Sequence, residues 1–471
     1  MAKTGILAAM IIGASALSPA VSAPKPPSFS KPGPDAAPLA PPPSLEEVFV
    51  TSKTPRKKNE TATVKEAFAR VKNGGVIFIT EMSSDISNDD TVLLIDRPVT
   101  IALDPDLKTQ MDIDGDGNTA RAKLNAAADG ACLVIGQYEL GDDAGRRTPR
   151  NEVTIRGIEF VPNPASKPGA CVTVNDGRVF FDNVEISADG LSKKAFQQGV
   201  VIRGGELITN ERVRISAAKT GLDVRGGAAE LAEGATITAA GERNAAKLET
   251  SCRQAVQDSS VGVFVGRSSD NRVGDPVVIL RRAQITGFDY GVCSAGTGVS
   301  IEGSSIRGNH IGVRAERRIR IASAGLFNAD VAALIVGSSD AEVTNSSLYN
   351  SAIGVFLDTP ELPTFRSNRF HFNGEAIRYD WEIRNDRNFL DKLFSRRSEE
   401  EKRLVASFTD NVVSCNKKAG VFEKYRLFKK AHRNECFDNT PGNCDGTKAS
   451  KECAEARADL SLAPNVCAAG T

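Results

Sequence analysis

Carboxylates, a few aromatic and imidazole side chains, and arginines recur in this sequence at matched intervals, and those types could do chemistry on a polysaccharide. Asp358 and Asp380 lie one interval apart. Two carboxylates flanking a glycosidic bond are what a hydrolase requires. A lyase requires a base to take the proton beside the carboxylate of an acidic sugar, and a cation to neutralise that carboxylate. Tyr349 or His371 is the candidate base, and Arg314 or Arg378 the candidate cation. Surface charge is the plainer account of the Asp pair.

The same interval collects further residues into series: Thr286, Arg307, Phe327, Tyr349 and His371; Arg314, Leu334, Phe356 and Arg378; Glu316, Asp358 and Asp380. If each series is a column on consecutive turns about 4.8 Å apart, the first makes a strip of aromatic and cationic groups as long as a short oligosaccharide. Arg307, Phe327, Tyr349, His371, Arg314, Phe356 and Arg378 are therefore the candidate ligand-binding residues. The structural alternative is that stacked rings and alternating charges merely stabilise adjacent turns.

One metal signal stands apart. Asp112, Asp114, Asp116 and Gly117 in DIDGDGN match the first half of a calcium loop, but its twelfth position is Lys123 where that loop needs Glu. A Gly-rich turn explains the same letters. Three scattered histidines make a histidine-based metal cage a poor reading.

A repeat positions these residues. An apolar lead residue is followed six positions later by Gly or Ala and then a further apolar residue: Ile285, Ile306, Leu326, Leu348 and Phe370 are the leads, spaced by 21, 20, 22 and 22. Five residues ahead of them stand Leu280, Ile301, Ile321, Val343 and Phe365. Ile215 extends the frame backwards, and Phe160, Ile186 and Ile237 start units lengthened by insertions, the largest spanning 241–259. Each unit holds two or three strands of four to six residues, too short for amphipathic helices. Units that cannot bury their own apolar face must stack. The recurring Gly is expected at a sharp bend.

Segments such as SSIRGNHIGV (304–313), NSSLYNSAIGVFL (345–357) and SNRFHFNGEAI (367–377) resemble the repeats of right-handed parallel β-helix proteins in the pectate lyase-like superfamily. The opening TVKEAFARVKNGGVIFI (63–79) is similar to their entry: Thr63 and Glu66 form a capping box, Val64, Ala67, Phe68 and Val71 line one helix face, and Gly74-Gly75 ends the helix. The resemblance implies an all-β chain, a right-handed parallel β-helix with an N-terminal helical cap and a Cys-rich C-terminal cap. It implies little about chemistry, since this fold hosts lyases, hydrolases, epimerases, adhesins and inert binders. No Asn-Thr-Asp, His-Gly or Asp-Pro-His signature is evident, and the single Trp weakens a processive sugar cleft.

The ends define the setting. Lys3, the apolar run Ile6 to Leu17 and the small residues Ala20 and Ala23 have the layout of a cleaved secretory signal over 1–23. The run falls short of the about 20 apolar residues that span a bilayer, so no membrane span is expected after cleavage. Residues 24–45 are a Pro-rich linker, 60–421 the β-helix with a helical insertion at 384–406, and 422–471 a Cys-rich cap. Equal totals of 59 basic and 59 acidic residues argue against a nucleic-acid partner.

Nine Cys in an exported chain point to disulfides. Cys132 and Cys171 hold the same place in consecutive units, close enough for a disulfide between turns; two stacked thiols are the alternative. Cys252 sits in the largest insertion, in position to tie it to Cys293. The spacings among Cys436, Cys444, Cys453 and Cys467 do not match a zinc module. The sequence is thus read as an exported β-helix that recognises an envelope or extracellular polysaccharide without catalysis or serves as a rigid interaction surface, or else as a lyase or hydrolase on acidic glycans, with calcium the one candidate cofactor.

Overall fold

The computed structural model describes residues 45–51, 57–86, 92–107, 121–127, 130–136, 151–163, 169–189, 194–210, 212–242, 244, 246–267, 275–337, 341–359, 363–379, 407–420 and 433–437. The expected signal segment, the Pro-rich linker up to Ser44, the calcium half-loop, Asp380, the helical insertion and most of the Cys-rich cap lie outside them.

Strands of three to six residues repeat in a fixed order, and each pairs in parallel with its counterpart one turn later. In the most regular stretch, Gly298–Glu302, Ser305–Arg307 and Ile311–Ala315 make one turn, and Ile319–Ala322, Gly325–Phe327 and Val331–Val336 the next. These three positions define a first, second and third face. The described pairings are parallel throughout, save one short antiparallel pair between Ala188–Asp189 and Lys194–Ala195. The chain is a right-handed parallel β-helix, the hand that crossovers between parallel neighbours take.

The leads stack in one inward ladder on the second face: Leu124, Phe160, Ile186, Ile215, Ile237, Ile285, Ile306, Leu326, Leu348, Phe370 and Val413 are successive register partners. Leu280, Ile301, Ile321, Val343, Phe365 and Phe408 form the matching ladder on the first. Both are fully buried in one core that runs the length of the coil. Beyond residue 406 the coil resumes: Val412–Ser414 pairs with Arg369–His371, and Glu435–Phe437 adds a further strand to it.

The recurring Gly proves not to mark a bend. Gly221, Gly262, Gly291 and Gly312 sit second in the third-face strands, in extended backbone. A methyl on Gly291 would lie 2.5 Å from the Gly312 carbonyl oxygen and 2.7 Å from Cγ2 of Ile306, so close approach excludes the side chain. The bends lie on either side of each lead. Residues three before it, including Arg282, Ser323, Asn345, Ser367 and Asp410, and two after it, including Asn328, Asn350, Phe372 and Cys415, have left-handed φ of 49–58°.

Buried Asn and Ser side chains line the inside of both bends. At the first corner, Asn368 Oδ1 accepts the Ser346 N–H at 3.0 Å and its amide donates to the Val343 carbonyl at 2.7 Å. Asn411 and Asn434 repeat this one turn further each time. At the second corner Asn373 and Asn416 do the same for Ser351 and Asn373. These side chains satisfy the backbone groups that the turn takes out of the strand ladder.

The N-terminal helix α1 (Val64–Arg70) buries Val64, Ala67 and Phe68 against the first turns. Thr63 accepts from the Glu66 N–H at 3.2 Å, but the Glu66 carboxylate reaches the Ala62 N–H and not that of Thr63, so the capping box is half formed. The helix ends at Arg70, because Gly74 and Gly75 are taken up in the strand Val71–Ile79. Strand pairing begins already with Leu45–Val50 against Val71–Ile79, ahead of the entry expected at residue 60.

Asn373→Ala and Asn411→Ala should each destabilise the coil by about 1–3 kcal/mol, since each strands one buried N–H and one carbonyl. Chemical denaturation should show this as a transition midpoint at lower denaturant for both variants.

Candidate functional site

A second-face strand is three residues long with its lead pointing inward, so the flanking residues must point out. Register then fixes what stacks on what. Arg307, Phe327, Tyr349, His371 and Ser414 are direct partners on successive turns. The Phe327 and Tyr349 rings stack with centroids 4.5 Å apart and planes 10° from parallel, and Tyr349 and His371 at 4.9 Å and 15°. Phe372 closes on His371 edge-on at 5.4 Å, from a backbone held at φ 57°. A bulky residue in that conformation is costly, and here it places a ring against the imidazole.

The stack is half-buried, and this sets its electrostatics. Burial pushes the Tyr349 phenol above its ordinary value, with Arg307 partly opposing. Burial, aided by the Arg369 charge, lowers His371 to about 4. The imidazole is thus neutral near pH 7, and the phenol stays protonated.

Two cations belong to this surface. Arg307 and Arg369 are exposed, and among the described residues neither has a carboxylate partner. The arginines of the first face contrast with them: Arg178 pairs with Glu152 and Glu206, Arg281 with Glu230 and Glu302, Arg320 with Glu342, and Arg366 with Asp410. Arg369, directly before the lead Phe370, was not among the sequence candidates, because only positions after the leads were read as a column. The equivalent place on other turns holds Ser305, Gly325 and Ser347, so no repeated type signalled it.

The other candidate column is also in register. Cys293, Arg314, Leu334, Phe356 and Arg378 are successive partners on the third face. It differs from the first in burial: Arg314 is 3% exposed, Leu334 1% and Phe356 4%. Arg314 Nε donates to Glu316 Oε1 at 3.2 Å and its Nη1 to the Leu248 carbonyl at 2.6 Å. Glu316 is held as well by the Cys252 N–H at 2.6 Å. Arg378 donates to Glu375 at 2.8 Å. Asp358 ends the third-face strand Ile353–Asp358, opposite Val336, whereas Tyr349 and His371 lie on the second face. The structure therefore gathers Arg307, Phe327, Tyr349 and His371 on one surface, and sets Arg314, Phe356, Arg378 and Asp358 on another.

Disulfides Cys132–Cys171 and Cys252–Cys293 form between neighbouring elements, with Cα separations of 4.7 and 5.4 Å. Cys415 is also disulfide-bonded. Among the described residues no group of three or more His, Cys, Asp or Glu side chains is disposed to hold a metal, and no helix is long and apolar enough to cross a membrane.

Replacing His371 by Phe should flatten the stability of the protein against pH between about 6.5 and 4. The folded value lies below the unfolded one, so the unfolded chain binds more protons in that window and stability falls as pH falls. The wild type should lose on the order of 2–3 kcal/mol relative to His371→Phe by pH 4, read from urea midpoints across that range.

No family model matches the chain, and no curated relative matches it. Several solved structures are similar to it, two of them as follows. One is the A-module of the mannuronan C-5 epimerase AlgE6 of Azotobacter vinelandii, at 11% identity and a TM-score of 0.29, over 74% of this chain and 78% of that one. The other is ORF18 of Geobacillus virus E2, at 9% identity and a TM-score of 0.29, over 67% of this chain and 57% of that one.

Proposed function

We propose that this chain is an exported β-helix that recognises an acidic polysaccharide of the cell envelope or the extracellular medium, without catalysis, through its second face. One observation carries the reading: Arg307 and Arg369 bracket the Phe327, Tyr349 and His371 stack, and among the described residues they lack the carboxylate partners that first-face arginines have. Uncommitted guanidiniums beside ring edges and a phenol suit carboxylate, sulfate or phosphate groups on a polymer. The rings cover one another's faces, so a ligand meets their edges and the phenol. The signal-like opening and the disulfides support export. The pectate lyase-like resemblance and a calcium site at Asp112, Asp114 and Asp116 remain parts of the proposal.

A protonated phenol and an imidazole of such low basicity are poor general bases near neutral pH, which supports the noncatalytic reading. The second reading, a lyase or hydrolase on acidic glycans, rests on the neutral His371 beside the cationic Arg369. In that reading Tyr349, Asp358 and Asp380 are the further candidates.

Binding to acidic and neutral polysaccharides, with unsaturated products and reducing ends followed in the same samples, tests both. Recognition predicts salt-sensitive binding to the acidic polymers alone, no product, and at least tenfold weaker binding for Arg307→Ala, Arg369→Ala at unchanged thermal stability. Product that disappears in His371→Ala would replace recognition with the enzyme; binding indifferent to the two arginines would remove the second face as the site.

A further inference from the structure

Seven successive strands of the second face, from Thr236–Ala239 to Val412–Ser414, contain two Arg, Lys, Asp or Glu residues in all, Arg307 and Arg369. Their other outward positions hold Thr, Ser, Gln, Gly, Val and the stacked rings. Among the described residues the first face has no such stretch, because its arginines alternate with carboxylates and pair with them across the turns. The two exposed guanidiniums of the second face thus stand alone on an otherwise uncharged field.

Register fixes the vector between them. Arg307, Phe327, Tyr349 and His371 are successive partners, and Arg369 stands two residues before His371 in the same strand. Three steps of about 4.8 Å along the coil and two residues of about 3.3 Å across it set the Cα atoms about 16 Å apart. This exceeds the Debye length of about 8 Å at physiological ionic strength, so each guanidinium meets an anion on its own. The strands between them, Gly325–Phe327 and Ser347–Tyr349, hold no carboxylate that would repel one. The span is also stiff. Ladder pairing joins each turn to the next, and the stacked rings fill the column from Phe327 to His371.

We propose that Arg307 and Arg369 are the two ends of a ruler, by which the second face selects an acidic polysaccharide through the distance between its charges. The proposal rests on the reading of this face as the recognition site, and names what decides between ligands there. An extended 1,4-linked hexuronate chain advances by nearly one inter-turn spacing per sugar, so the first and fourth carboxylates of a tetrasaccharide match the two arginines. In a chain of threefold screw symmetry, such as galacturonan, those two carboxylates also point to the same side. A shorter oligomer engages one arginine at a time. A chain that spans the gap meets the second arginine as an intramolecular partner, and its affinity rises without any new kind of contact. The bound polymer lies along the coil, across the turns.

The test measures dissociation constants at physiological ionic strength for oligogalacturonates of one to eight sugars, with polymeric alginate and hyaluronate alongside. The expected result is a step of at least tenfold between three and four sugars, and a slow rise beyond it. Arg307→Ala and Arg369→Ala should each abolish the step while binding the trisaccharide within about twofold of wild type, at unchanged thermal stability. The variant Arg307→Ala, Phe327→Arg moves the cation one turn nearer Arg369 in the same column, and its step should fall at a shorter chain. Affinity that grows evenly with length would overturn the ruler, as would a step that survives either single substitution or stays in place in the shifted variant. Binding of alginate or hyaluronate with no binding of any oligogalacturonate would show that something other than charge spacing is read, and would overturn the ruler alone. No binding of any of these ligands would remove the recognition reading with it.

Discussion

Parallel pairing between successive turns holds every residue about 4.8 Å from its counterpart, and this spacing governs the whole molecule. It leaves no freedom for a single position to be chosen alone. Whatever stands at one place on one turn must be compatible with the same place above and below. The interior meets the condition with Ile, Leu, Val and Phe ladders, the first face with alternating charges, and the second with flat rings. Exposed ion pairs are individually worth little, so the first face gains neutrality and register from them more than stability.

The same constraint explains why the fold was legible and the site only partly so. A lead every 20 to 22 residues implies stacking, and each lead identified in sequence stands in one inward ladder. The position of an outward column follows by counting, which is why Arg307, Phe327, Tyr349 and His371 prove to be neighbours. Burial of a column does not follow by counting. Arg314 and Phe356 are covered or held by chain that returns across the third face, and a period carries no information about where an insertion comes to rest. Arg369 escaped notice because it breaks its own column.

The recurring glycine teaches a related lesson. Its role is steric: the space where a Cβ would go is taken by a backbone carbonyl of the next turn and, at Gly221, Gly262 and Gly291, also by the Cγ2 of the next lead. The bends are made by residues with left-handed backbone, and these are Arg, Ser, Asn, Asp and even Phe as well as Gly. Their variety hides them in sequence, whereas the Asn and Ser at fixed offsets inside the same bends are regular and would have betrayed the corners. Asn368, Asn411 and Asn434 stand two before their leads, and Asn309, Asn373 and Asn416 three after.

Those asparagines also give the coil a direction. In every described case the side chain of a later turn satisfies the backbone of the turn before it, as Asn368 does for Ser346 and Val343, and Asn411 for Asn368 and Phe365. The two ends of the solenoid are therefore chemically unlike. Removing turns from the N-terminal side leaves each remaining bend its asparagine, while removing them from the C-terminal side takes the asparagine away from the last bend. A chain synthesised from its N-terminus therefore meets the asparagine that closes each bend only after the bend itself has been made.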